Sequence, residues 1–187
     1  MTSLSIYNQE GTVLAFDIHD YQDIVSKLSD IGVEFERWNA NIPLAEDATS
    51  DMVLNAYQQD ITKINQRYGF QSVDVVSVYP EHPQRVEFRE KFLAEHTHSD
   101  FEVRFFVEGE AAFYLHCSDR VYLVLCEQGD FISVPAHTPH WFDMGESPNF
   151  KAIRFFSTPE GWIANFTGSD IATKFPTFDL YQAARSQ

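Results

Sequence analysis

The feature that most narrows the folds open to this 187-residue chain is a change of period at residue 96. Downstream, five short apolar runs follow one another: FEVRFFVEG (101–109), AAFYLHC (111–117), RVYLVLC (120–126), DFISVP (130–135) and FKAIRFFS (150–157). Turn-rich breaks such as SDR, EQGD and MGESPN separate them. Strands of this length, spaced by Gly and Asp turns, predict an antiparallel sandwich or barrel. Upstream the period is helical: Ile24, Val25, Leu28 and Ile31 in 20–38, then Val53, Leu54, Tyr57, Ile61, Ile64 and Tyr68 in 49–70. Thr49 or Ser50 offers an N-cap to the second stretch and Gly69 ends it. SVDVVSVYP (72–80) reads as a strand closed by proline, and 83–95 as a short helix. The tail, 161–187, reads as irregular, either packing across the barrel or fraying. The expected architecture is mainly β with flanking helices in a single domain, 1–187. Residues 1–95 pack as a mixed part on a 96–160 barrel.

The segment HTHSDFEVR (96–104) carries the chemistry. Residues two apart share a face of an extended chain, so His96 and His98 point one way, and Glu102 and Arg104 share their parity. The other face, Phe101, Val103, Phe105 and Val107, is apolar and belongs against a core. Desolvating so many polar side chains is costly unless something cationic compensates them, and a divalent metal does so. His140, or its neighbour His137, follows a proline turn and could close the shell from an adjacent strand. Imidazoles and a carboxylate without thiolate suit Fe(II), Ni(II), Mn(II), Cu(II) or Zn(II). Arg104 either pairs with Glu102 or Glu95 or balances the charge of an ionised substrate; Arg154 is a second candidate for the same cavity. Glu95, Ser99 and Asp100 are placed to fix the imidazoles. Phe92, Phe142, Trp141 and Trp162 are candidates for an apolar wall. His116 reads as structural or exposed, and His19 and His82 as loop residues.

Composition sets the outer limits. Apolar residues are 44% of the chain and 17 are Phe, which is enough for a core. A net charge of −15 repels phosphate backbones and anionic lipid, so neither nucleic acid nor membrane is an expected partner. The opening MTSLSIYNQEGTVLAF lacks a basic and an apolar targeting region, and no apolar run approaches the roughly 20 residues of a membrane span. A cytoplasmic monomer with two reduced, partly buried thiols, Cys117 and Cys126, is the expectation.

These residues resemble the two cupin motifs. His96, His98, Glu102 and Gly109 match the first, with Glu90 where its leading Gly would stand. Gly129, Pro135 and His140 match the second, with His137 in place of its internal Gly and Met144 in place of its Asn. That spacing favours His140 over His137. Over nearly its whole length the chain is similar to the acireductone dioxygenase family of methionine salvage, through H-x-H-x3-E-x-R and GDFISVPAHTPHWFD (129–143). The resemblance implies a cupin-type double-stranded β-helix, the jelly-roll barrel. It also implies one Fe(II) or Ni(II) per chain on His96, His98, Glu102 and His140. Acireductone and O2 would be the substrates, with Arg104 catalytic and Phe92, Phe142 and Arg154 beside the substrate. The products implied are formate and 2-keto-4-methylthiobutyrate with Fe(II), or formate, CO and methylthiopropionate with Ni(II). The alternative is another metal-dependent cupin enzyme, a sugar isomerase or a different dioxygenase. A phosphosugar enzyme should carry a Lys and Arg cluster near the ligands, where this chain offers only Arg104, Arg154 and Lys91. A non-catalytic cupin commonly loses a ligand, and here all four are present.

Overall fold

Two of the expected runs, FEVRFFVEG and AAFYLHC, fuse into one 16-residue strand, Glu102–Cys117, and the molecule is organised around it. The computed structural model describes residues 1–45 and 48–186. In chain order the elements begin with β1 (Ser3–Asn8), β2 (Val13–Ile18), α1 (Tyr21–Ser29) and β3 (Glu34–Arg37). Then come α2 (Ser50–Ala56), α3 (Gln58–Tyr68), β4 (Ser72–Val78), α4 (Arg85–Leu93) and β5 (His96–Thr97). The long strand is β6, followed by β7 (Arg120–Glu127), β8 (Asp130–Val134), β9 (His140–Asp143), β10 (Asn149–Phe156) and β11 (Asn165–Phe166). A 3-10 turn at Ile171–Lys174 precedes α5 (Phe178–Arg185).

β6 belongs to two sheets. Its first half lies between β8 and β10, and β3 and β4 extend these outward. Its second half lies between β7 and β9; β1 and β2 continue past β7, and β5 and β11 past β9. All pairings are antiparallel. Ile132 and Ala152 of one sheet and Leu4, Phe113, Val124 and Phe142 of the other share one core, which makes the pair a jelly roll. The junction is Gly109, at φ +71°, where a Cβ would lie 1.8 Å from the Asn149 carbonyl oxygen. The β6–β10 register shifts beside it, between Lys151 and Ala152. Such a bulge resets side-chain parity. Arg104 and Phe106 face the interior before it, and Ala111, Phe113 and Leu115 after it.

Both faces of β6 are covered. Val103, Phe105 and Val107 pack under Val53, Tyr57, Ile61 and Ile64 of the α2–α3 region. Ala112 and Tyr114 pack under Phe175 and Tyr181 of the C-terminal region. Burial on two sides explains why the runs are apolar almost throughout.

Several expectations change. Residues 1–19, given no element, form the β1–β2 hairpin. The helix expected over 20–38 stops at Ser29, because Gly32 at φ +76° turns the chain; Val33 and Phe35 then alternate into the core as β3. The 49–70 stretch breaks at Tyr57 into two helices, with Thr49 accepting from the Met52 N–H and Gly69 in the left-handed cap. The tail is not irregular: Tyr181 is buried, its hydroxyl 2.9 Å from the Ser3 and Ser5 hydroxyls. Phe101 is 43% exposed, because β6 begins only at Glu102. Cys126 faces Ala111 across the ladder and Cys117 faces Arg120, so the thiols are not partners and both are free. Among the described residues no helix is long and apolar enough to cross a membrane.

Candidate metal centre

Strand pairing brings the histidines together. His96 on β5 is the register partner of His140 on β9, and β9 lies against β6 at Leu115. His98 follows β5 in an irregular turn that returns the chain to β6, so it meets the others without sharing a strand with Glu102. The ring centroids of His96 and His140 are 4.5 Å apart, those of His96 and His98 5.1 Å, and those of His98 and His140 5.3 Å. One ring nitrogen from each lies within 4.8 Å of the other two. All three side chains are buried, as are Glu102 and Arg104.

Each Nδ1 is committed to a backbone carbonyl: His96 to Ala94 at 2.7 Å, His98 to Ile163 at 2.9 Å and His140 to Thr138 at 2.8 Å. A carbonyl only accepts, so each Nδ1 carries a proton, and a ring that is neutral presents its lone pair at Nε2. The His140 Nε2 is buried and has no protein partner. Burial pulls the pKa of His96 down and that of His140 down to about 4, so these rings are neutral at neutral pH. Backbone carbonyls, rather than the side chains of Glu95, Ser99 and Asp100, make the direct contacts to the imidazoles. Glu95 holds His116 Nδ1 at 2.7 Å and accepts from Thr167 at 2.6 Å, Asp100 accepts from backbone N–H groups, and Ser99 is exposed.

Glu102 Oε2 lies 3.3 Å from His98 Nε2, and Arg104 donates from Nε to Oε1 at 2.7 Å, with Nη2 in ion-pair contact with the same oxygen at 2.6 Å. Burial alone would raise the pKa of this carboxylate; Arg104, His98 and His140 hold it down at about 2. Arg104 lies over the Phe142 ring, 4.5 Å from its centroid, and its Nη1 is buried without a partner. The guanidinium is thus both an ion-pair partner and a free donor.

These groups floor a cavity of about 220 Å³. Phe92, Phe142, Arg154 and Trp162 line it, whereas Trp141 stacks on Tyr114 in a different core cluster. Arg154 sits opposite Arg104 on β10 and is held by Asp74 through two bonds of 2.7–2.8 Å. Phe88, Val76 and Phe156, which no motif in the sequence marks, also line the cavity. Phe88 stands four residues before Phe92 on α4, a spacing that shares a helix face. His137, the rival ligand, is exposed and points elsewhere; its backbone N–H donates to the His98 carbonyl at 2.9 Å.

A jelly-roll barrel with convergent, buried imidazoles at its core defines a metal-dependent cupin. The comparisons narrow the class further: residues 4–164 match the model of the ARD/ARD' family, and the chain belongs to that family. An acireductone dioxygenase of Aquifex aeolicus is 55% identical over 179 residues, 96% of this chain and 97% of that protein. One of Methylococcus capsulatus is 52% identical over 181 residues, 97% of each. Among solved structures, the acireductone dioxygenase from Bacillus anthracis with a cadmium ion in its active center superposes with a TM-score of 0.78 at 29% identity. The match covers 89% of this chain and 99% of that one.

Proposed function

We propose that the chain is a dioxygenase that cleaves acireductone, 1,2-dihydroxy-3-keto-5-methylthiopentene, with O2. In this reading His96, His98, Glu102 and His140 hold one Fe(II) or Ni(II). The observation that carries the site is the convergence of three imidazole ring nitrogens, with the His140 Nε2 buried and without a protein partner. Full-length similarity to acireductone dioxygenases supports the reaction.

A bound divalent ion supplies Lewis acidity and a template for the two oxygens of an enediolate. The chain supplies the rest. Glu102 stays ionised and offsets part of the ion's charge. Arg104 directs its free Nη1 at the substrate's oxygens, where a charge-assisted hydrogen bond opposes the accumulation of negative charge. Phe88, Phe92 and Phe142 exclude water and receive the methylthio tail, and Arg154 closes the polar side. The products proposed are formate and 2-keto-4-methylthiobutyrate with Fe(II), and formate, CO and methylthiopropionate with Ni(II).

The test is to strip the protein, reload it with Fe(II) or Ni(II), and follow loss of the acireductone chromophore under O2. Turnover with both metals and different products is expected; no turnover with either sinks the assignment. For Arg104→Ala, retained metal and a kcat/KM loss on the order of 100-fold are expected, as for removal of a charge-stabilising donor. Unchanged kinetics would remove Arg104 from the reaction.

A further inference from the structure

Residues 157–167 cross the ligand-bearing strand as a strap, and both ends are pinned by acids flanking the histidines. At one end the buried Asp100 accepts from the Ser157 N–H at 2.5 Å and the Thr158 N–H at 3.2 Å through Oδ2, while Oδ1 accepts from the Phe101 N–H at 2.8 Å. At the other end the Thr167 N–H donates to the Glu95 carbonyl at 3.0 Å and its hydroxyl to the Glu95 carboxylate at 2.6 Å. Between the pins β11 pairs with His96 and Thr97. There Trp162 and Ala164 line the cavity, and the Ile163 carbonyl takes the His98 Nδ1 proton bond at 2.9 Å.

Gly161 lets the strap come this close. A Cβ there would sit 2.7 Å from Asp100 Oδ2 and 3.1 Å from Asp100 Cβ. The Ile163 side chain is 44% exposed and that of Trp162 56%, so core packing does little to fix the Ile163 carbonyl. Its position depends on the pins. The other two imidazoles depend on carbonyls two residues before them in the chain, Ala94 for His96 and Thr138 for His140. His98 alone is oriented by a remote segment.

We propose that Asp100 and Gly161 are positioning residues for His98: they anchor the strap that fixes its tautomer and so slow loss of the bound metal. This rests on the metal centre proposed above, and the experiment separates the two. Wild type, Asp100→Asn, Gly161→Ala and a control at the exposed Ser99, Ser99→Ala, are compared by two readouts. The first is ¹⁵N–¹H NMR of the metal-free imidazoles. The second is the rate at which Ni(II)-loaded protein gives up metal to excess EDTA. In Asp100→Asn the amide NH2 or the weaker carbonyl must face donors that a carboxylate now satisfies. In Gly161→Ala the methyl group must displace Asp100.

Expected are Nδ1-protonated His96, His98 and His140 in wild type, and selective loss of that signature for His98 in both variants. Metal loss should be faster by on the order of 10-fold in both, as for other groups that orient a ligand from outside the coordination shell. Ser99→Ala should match wild type. His98 signals and release rates equal to wild type in both variants would overturn the proposal. So would equal loss at all three imidazoles, which would mark general loosening. A wild type that retains no Ni(II) while His98 still responds selectively would remove the metal centre and leave the strap's hold on His98 standing.

Discussion

His137 occupies the position where the second cupin motif has Gly, and its backbone shows why Gly belongs there: φ is +65°, in the left-handed region that costs an L residue about 1 kcal/mol. The strain has a use. In that conformation the His137 N–H reaches the His98 carbonyl, tying the proline turn to the ligand segment. His137→Gly should therefore raise the urea midpoint, by about 1 kcal/mol of stability at most, and leave bound metal at one per chain. Loss of metal in that variant would make His137 a ligand after all. The candidate metal-binding residues were legible in the sequence because a His-x-His pair with a nearby Glu and Arg has few other uses on a buried face. What orients the rings was not, since the Ala94, Thr138 and Ile163 carbonyls belong to the backbone and carry no residue identity.

Among the described helices, α4 is the one least secured by burial. It has no fully buried residue, yet it contributes Phe88, Lys91 and Phe92 to the cavity wall. Its anchor is Arg89, which donates from Nε to Asp143 Oδ1 at 2.7 Å and from Nη2 to Oδ2 at 3.1 Å, with Asp179 also at 3.0 Å. Asp143 is completely buried at the end of β9, three residues past His140, and also accepts from the Gly145 and Phe178 N–H groups. Arg89→Met strands a buried carboxylate, at a cost of roughly 3 kcal/mol. A raised KM for acireductone is expected with metal content unchanged, measured by steady-state kinetics and metal analysis; an unchanged KM would show that packing alone holds α4. The helical stretch over 50–68 was legible from its apolar spacing, the Thr49 cap and the Gly69 stop, though not its break at Tyr57. The helix at 85–93 was expected although it has no side-chain cap. The hairpin at 3–18, the strand at 34–37 and the joining of two runs through Gly109 were not. Each depends on a partner far away in sequence: β1 on β7, β3 on β8, and Gly109 on the Asn149 carbonyl that leaves no room for a Cβ.

At the scale of the whole molecule, two effects of pH oppose one another. With a net charge of −15 and a pI near 4.6, the folded chain repels itself, and acidification toward the pI relieves that repulsion. The buried imidazoles act the other way. His140 titrates at about 4 in the folded protein because burial disfavours its charged form, and His96 is lowered for the same reason, whereas unfolded imidazoles titrate near 6.5. Between those values the unfolded chain binds protons that the folded chain does not. This contribution is complete above about pH 6.5 and is lost as pH falls toward 4, on the order of 3 kcal/mol for His140. Glu102, held at about 2, extends the loss below the ordinary carboxylate range: its contribution is present above about 4.5 and disappears toward 2. Salt separates the opposing effects, since about 0.5 M screens surface repulsion and leaves desolvation of a buried ring almost untouched. The metal-free protein in such salt should lose stability steadily between pH 7 and pH 5 in urea titrations, and His140→Gln, which has nothing to protonate there, should show a clearly shallower fall. If the two slopes coincide, burial of His140 does not govern the acid limb, and net charge or the remaining histidines must.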